Sequence, residues 1–323
     1  MSSLREALRL DVPKTLATLT ERIREATLGT LHRRGIVVGI SGGVDSAVVA
    51  ALCVRALGKE KVFGLFMPER DSSPDSLRLG RAVADGLGIA TEVEDVGPTL
   101  DAIGCYRRQD EAVRTVFPEY DAKAGYLCKI TLPSVLDSDR LNVFLLTIQT
   151  PTGEQKSSRM SAAAFSKLVA ATNFKQRVRK TMEYYHADRL TFAVAGTPNR
   201  LEYDQGFFVK QGDGAADLKP IAHLYKTQVY ALAAELGIPK EICTRPPTTD
   251  TYSMEQTQEE FYFALPYDRM DLCLYAREHG ISAKDAAPEL DLAEAQVERV
   301  FKDIDAKRRT TRYLHTPPIF FGE

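Results

Sequence analysis

Gly39-Ile40-Ser41-Gly42-Gly43-Val44-Asp45-Ser46 constrains this chain more than any other stretch, lying between Ile36-Val37-Val38 and Ala47-Val48-Val49-Ala50-Ala51-Leu52. β-Branched residues bounded by glycine predict a short buried strand, and the alanine-rich apolar segment after Asp45 predicts a helix. Two successive glycines let the backbone turn sharply and bring bare N–H groups close to a ligand at the positive end of the helix dipole. Such a loop suits an anion such as pyrophosphate. Ser41 and Ser46 can add hydroxyl donors. Asp45 would repel phosphate unless a divalent cation lay between them, as Mg²⁺ does when held by one or two carboxylates plus phosphates. The pattern reads as ATP with magnesium; the plainer alternative is a glycine turn with Asp45 as an N-cap.

The rest of the chain is consistent with an enzyme built on that unit. Residues 13–34 carry Leu16, Leu19, Ile23, Ala26, Leu28 and Leu31 at helical spacing and predict a helix beside the first strand. Val62 to Met67 predicts a second strand, residues 75–87 a second helix entered through Ser73 and Pro74, and Ala90 to Val96 a third strand. Strand and helix alternating at this spacing predict a doubly wound parallel α/β sheet, with ligands outside the carboxyl ends of its strands. Residues 105–160 break the alternation and read as an insertion, in which Ile130 to Val135 could pair with a strand at Asn142 to Gln149. A long helix from about Ser161 to Tyr185 and the strand Thr191 to Gly196 follow. Helices are then expected at Leu224 to Leu236, 255–263, 268–279 and 292–312, so that 255–323 forms a helical C-terminal part of one domain spanning 1–323.

Composition excludes several classes of function. A net charge of −2 gives no general drive toward nucleic acid or a membrane surface. No apolar run approaches the ~20 residues that span a bilayer, and Met1-Ser2-Ser3-Leu4-Arg5-Glu6 is too charged for a signal peptide. The 5 cysteines are widely spaced and form no Cys-x-x-Cys pair. Free thiols in a reducing, cytoplasmic compartment fit best.

A second run follows the predicted strand at Thr191 to Gly196: Gly196-Thr197, then Glu202, then Gly206-Phe207-Phe208-Val209-Lys210-Gln211-Gly212-Asp213-Gly214, then Asp217. Glutamate, lysine and aspartate interleaved at a strand's carboxyl end are where an α/β enzyme keeps its chemistry. Ser-Gly-Gly-Val-Asp-Ser resembles the pyrophosphate loop of the adenine nucleotide alpha-hydrolase superfamily, whose members cleave ATP to AMP and pyrophosphate while adenylating a substrate. The second run is similar to that of NAD synthetases, as is Met67-Pro68 with its paired serines, a loop that in that family lies near the adenosine. A GMP synthetase or tRNA thiolase core fits the first loop but not the Gly-Phe-Phe-x-Lys run.

The resemblance implies roles residue by residue. Gly39, Ser41, Gly42, Gly43, Val44, Asp45, Ser46, Thr197, Lys226 and Thr248 would contact ATP, and Asp45 and Glu202 would share Mg²⁺. Lys210 and Asp217 would hold deamido-NAD, together with Arg177 from Asn173-Phe174-Lys175-Gln176-Arg177-Val178-Arg179, which resembles the family's Asn-x-x-x-Arg-x-Arg segment. Thr311 and Arg312 fall where a His-Lys pair before a double proline closes the family's substrate site, and His315 stands nearby. Asp45, Lys210 and Lys226 would carry the catalysis. The implied partners are deamido-NAD, ATP and ammonia, with a homodimer expected. No stretch of glutaminase size is left over, so nitrogen would come from free ammonia or a separate glutaminase subunit. Two other readings stay open: an amide ligase acting on a different carboxylate, and a catalytically silent nucleotide sensor.

Overall fold

A computed structural model describes residues 3–132, 136, 144–248, 251–263 and 265–321. Four parallel strands form the central sheet: β1 (Ile36–Gly39), β2 (Val62–Phe66), β3 (Ala90–Val93) and, after an antiparallel sheet described below, β7 (Ala193–Ala195). Their order is β3-β2-β1-β7, with β1 pairing in parallel with β2 on one side and β7 on the other. The chain thus leaves β1 in one direction and returns to its opposite edge after the insertion. Such a switch point opens a crevice at the carboxyl end of β1.

Side-chain alternation along β1 decides what covers each face. Ile36 and Val38 join Leu16, Val48, Leu79 and Val229 in the larger core, so helices Val12–Arg24, Val44–Leu57, Pro74–Leu87 and Lys226–Glu235 pack on that side. Val37 meets Ala187, Leu65 and Val194 on the other, beneath the long helix Ala162–Leu190. Helices on both faces make the sheet doubly wound, as its sequence pattern predicts.

The insertion is an antiparallel sheet, β4 (Leu127–Thr131), β5 (Leu145–Gln149) and β6 (Gln155–Arg159), preceded by a helix at Cys105–Arg114. The expected pairing of its first two strands is present, with Ile130 opposite Leu146. The β4 strand starts earlier than the expected Ile130, and residues 133–135 and 142–143 of the expected pair lie outside the described residues. β6 is almost wholly solvent-exposed and polar, which is why no apolar alternation announces it. Toward the C-terminus, helices Tyr267–Glu278, Ala283–Leu290 and Glu294–His315 enclose a core of their own that also takes in Leu201 and Tyr225.

Local departures have identifiable causes. The first long helix ends in π turns at Glu25–Thr30, and the extra residue per turn shifts its phase. Thr27 is buried there, its hydroxyl donating to the Ile23 carbonyl at 2.7 Å, while Leu28, expected on the apolar face, is 38% exposed. Of the helix expected at 255–263, only a π turn at Glu259–Phe263 forms. Ser73 does occupy the N-cap position of Pro74–Leu87, but its side chain makes no capping bond. Among the described residues, no helix is long and apolar enough to cross a membrane.

Candidate active site

The loop between β1 and helix Val44–Leu57 is shaped by sterics. Gly42 has φ +80°, and a Cβ there would lie 2.4 Å from the Ser76 carbonyl oxygen, so glycine is required twice over. The two serines brace the turn: Ser46 Oγ donates to the Gly43 carbonyl at 3.0 Å, and the Gly43 N–H donates to Ser41 Oγ at 3.3 Å. Ser46 is 2% exposed, so its hydroxyl serves the loop's own conformation.

Asp45, at the first turn of that helix, faces three groups from the far half of the chain. Its Oδ2 accepts from the Lys226 ammonium, and its Oδ1 accepts from Asn199 Nδ2 at 3.1 Å. Asn199 is also the N-cap of helix Arg200–Gln205: its Oδ1 accepts from the Glu202 N–H at 3.3 Å, while Glu202 Oε2 accepts from the Asn199 N–H at 3.0 Å. One reciprocal cap therefore ties Asp45 and Glu202 to a common point. Gln258 Nε2 donates to the other Glu202 oxygen at 3.2 Å and is itself held by the Tyr267 hydroxyl at 2.7 Å.

Electrostatics in this group ask for more positive charge. Burial first, and the Asp45 charge second, push the Glu202 carboxyl up to about 8, against the pull of Lys226. Burial presses the Lys226 ammonium down, but Asp45 and then Glu202 outweigh it and hold it above its ordinary value. Lys226 is fully enclosed, and its backbone N–H donates to Asp271, whose second oxygen accepts from Thr227 N–H at 2.7 Å. A carboxylate that keeps its proton beside another carboxylate is a site that a hard divalent cation would fit. Asp45 and Glu202 are the residues that would hold one.

These groups line a cavity of about 450 Å³. The phosphate loop, Thr197 and Thr248 form one wall; Met67, Pro68, Ser72 and Ser73 form a second. From the long helix come Asn173, Gln176, Arg179 and Glu183. The insertion reaches the cavity through Phe144, which stacks on Phe165 at 4.1 Å. All the residues expected to contact ATP therefore line one space.

The residues expected to hold the second substrate form a separate group outside that lining. Arg177 Nε donates to the Lys210 carbonyl at 3.3 Å, and Lys210 Nζ donates to the Tyr313 and Thr316 carbonyls at 2.9 and 2.7 Å. Asp217 accepts from the Val194 N–H at 2.7 Å and the Tyr184 hydroxyl at 3.2 Å. Thr311 packs on Gly206, where a Cβ would come within 2.2 Å of it, and Arg312 is exposed. His315 meets Tyr203 and Phe208 edge-on at 4.9 and 5.1 Å. Sequence reasoning missed Asn199, Gln258 and Arg179. The Asn-x-x-Glu spacing of Asn199 and Glu202 is a capping-box signal that marks the first of these.

A switch-point crevice with a glycine-rich phosphate seat on one side and converging acids on the other belongs to α/β enzymes that activate substrates with a nucleoside triphosphate. A model of the NAD synthase family matches residues 15–124 and 139–313, and the chain belongs to that family of ligases. The NH(3)-dependent NAD(+) synthetase of Mesorhizobium japonicum is 61% identical over 316 residues, 98% of each chain. That of Thermotoga maritima is 37% identical over 307 residues, 95% of this chain and 97% of its own. The solved NH3-dependent NAD synthetase of Campylobacter jejuni has the same fold, with a TM-score of 0.62 at 21% identity over 97% of this chain and all of its own.

Proposed function

We propose that this chain amidates deamido-NAD to NAD, using ATP and ammonia and releasing AMP and pyrophosphate. The carrying observation is the convergence of Asp45 and Glu202, through Asn199 and Lys226, on the cavity that the phosphate loop lines. The named activity of the relatives, at up to 61% identity over nearly the whole chain, supports the same reading.

A carboxylate is a poor electrophile, and adenylation gives it AMP as leaving group. Its oxygen attacks the α-phosphorus of ATP, the bond to pyrophosphate breaks, and an acyl-adenylate forms. The glycine-rich loop at the N-terminus of helix Val44–Leu57 seats the phosphates, while the enclosed Lys226 ammonium offsets charge gathering on the departing pyrophosphate. Mg²⁺ held by Asp45 and Glu202 would supply further charge neutralisation at the same oxygens. Ammonia then attacks the acyl carbon, AMP leaves, and the nitrogen loses a proton to give the amide. Arg177, Lys210, Asp217, Thr311 and Arg312 are the residues assigned to deamido-NAD. Arg177, Asp217 and Arg312 are exposed and Lys210 and Thr311 half-buried, which accords with a dinucleotide bound across a homodimer. A cytoplasmic location fits the thiols, and a separate glutaminase subunit is the alternative source of ammonia.

Incubation with ATP, Mg²⁺, ammonium and deamido-NAD tests the reading, with NAD and AMP assayed together. Equal amounts of both are expected. AMP release that does not depend on deamido-NAD would reassign the enzyme to another carboxylate.

A further inference from the structure

The Asn173-to-Arg179 segment presents Asn173, Gln176 and Arg179 to the cavity, but its most connected side chain points elsewhere. Lys175 is 1% exposed and is not itself part of the cavity lining. Its Nζ donates to Asp71 Oδ2 at 2.6 Å and to the Thr251 carbonyl at 2.8 Å, and lies 3.1 Å from Glu69 Oε1. The Glu69 and Asp71 side chains are 0% and 3% exposed. One ammonium thus contacts two enclosed carboxylates of the loop after β2, of which Asp71 also pairs with Arg70 at 3.0 Å, and holds the backbone of a second loop.

Both loops are walls of the cavity. The first contributes Met67, Pro68, Ser72 and Ser73, and the second contributes Pro247, Thr248, Thr251 and Tyr252. Tyr106 steadies the first from behind, its hydroxyl donating to Glu69 Oε2 at 3.0 Å. Arg179 holds it at Met67 O and Ser72 Oγ, at 3.1 and 3.3 Å. Arg245 to Ser73 Oγ, at 3.4 Å, is a long direct contact between the two loop regions. Lys175 is the short, charge-assisted link that spans them.

We propose that Lys175 is a positioning residue for ATP: it sets the spacing of two cavity walls from the long helix and so fixes the width of the nucleotide site. Without it, Glu69 loses its enclosed cation and keeps the Tyr106 hydroxyl, Asp71 is left to Arg70 at 3.0 Å, and the first loop is freed to swing out toward water. The inference rests on the cavity being the ATP site, as proposed above, but not on which carboxylate is amidated.

ATP binding is therefore the readout, measured by calorimetry with Mg²⁺ and no second substrate, alongside steady-state kinetics. Lys175→Met is expected to weaken ATP binding at least about tenfold and raise the KM for ATP alike. The KM values for deamido-NAD and ammonium stay within about twofold. Restoring charge balance in Lys175→Met with Glu69→Gln, which leaves Asp71 paired to Arg70, should recover stability but not ATP affinity, since the tie to Thr251 is still missing. That separation distinguishes positioning from a purely stabilising lysine. If Lys175→Met does not fold, the double variant is read in its place. ATP affinity within twofold of the parent in the variant that is read would overturn the proposal. Wild-type protein that binds ATP but makes no NAD would count against the assigned reaction and leave Lys175 to be judged on binding alone.

Discussion

The ammonium of Lys226 is hydrogen bonded to the carboxylate of Asp45, a residue 181 positions earlier in the chain. The pair joins the first turn of one helix to the first turn of another packed on the same face of the sheet. With Asn199 and Glu202 it forms a point where both halves of the chain meet the same cavity. Consequences follow for charge, metal, loop shape and substrate.

Lys226→Met should lower kcat by about 10²–10³-fold, the size seen when a donor to developing charge is lost from an enclosed site. The KM for deamido-NAD should hardly move, because the residues assigned to it lie in a separate group. A kcat within threefold of the parent would remove Lys226 from the catalytic step.

Glu202→Gln should raise the Mg²⁺ concentration for half-maximal turnover by at least about tenfold, by loss of one of two hard oxygen ligands. Asp45→Asn should do the same and also release Lys226. Near-normal turnover of either variant at limiting Mg²⁺ would show that the two acids share no metal.

The stability of the ligand-free protein should fall as pH rises from about 4.5 to about 8. Glu202 is raised from 4.5 to about 8 in the folded state, so the native protein binds more protons than the unfolded chain throughout that window. Its favourable share is complete below the lower value and gone above the upper. Thermal melts of Glu202→Gln should show a flatter pH dependence there, and added Mg²⁺ should stabilise the parent most at the alkaline end. An unchanged slope in Glu202→Gln would place the titration on another group.

Gly42→Ala should destabilise the protein by about 1–3 kcal/mol through a left-handed backbone carrying a side chain. Contact with a backbone oxygen 2.4 Å away adds to this and displaces the Ser76 turn. The denaturant midpoint should drop and the KM for ATP rise at least about tenfold. Gly86→Ala, with open space around its Cβ, is the matched control and should leave both near the parent values.

Lys210→Ala should raise the KM for deamido-NAD without altering ATP binding. Its ammonium bonds to the Tyr313 and Thr316 carbonyls and stacks over the Tyr313 ring at 4.2 Å. The substitution should therefore also loosen the C-terminal end, seen as faster hydrogen exchange at Tyr313 and beyond.

Much of this protein is local in origin, and the sequence by itself determined that part. A β-branched run before Gly39, an alanine-rich run after Asp45 and regular alternation afterwards specify strand, turn and helix through nearest-neighbour sterics and side-chain period. The sheet's class and the glycine-rich loop after β1 were legible for that reason, while Thr197, Lys226 and Thr248, which line the same cavity, followed from the family resemblance. What only the tertiary structure decided depends on groups that meet across long loops. Asn199 looks like a helix cap until Asp45 is found on its other side, and Lys175 looks like a surface lysine until two acids close over it. The π turn that buries Thr27 and turns Leu28 outward, and the polar β6, likewise left no periodic mark. Burial, charge pairing and helix phase are set by packing between distant segments, and no pattern confined to one segment encodes them.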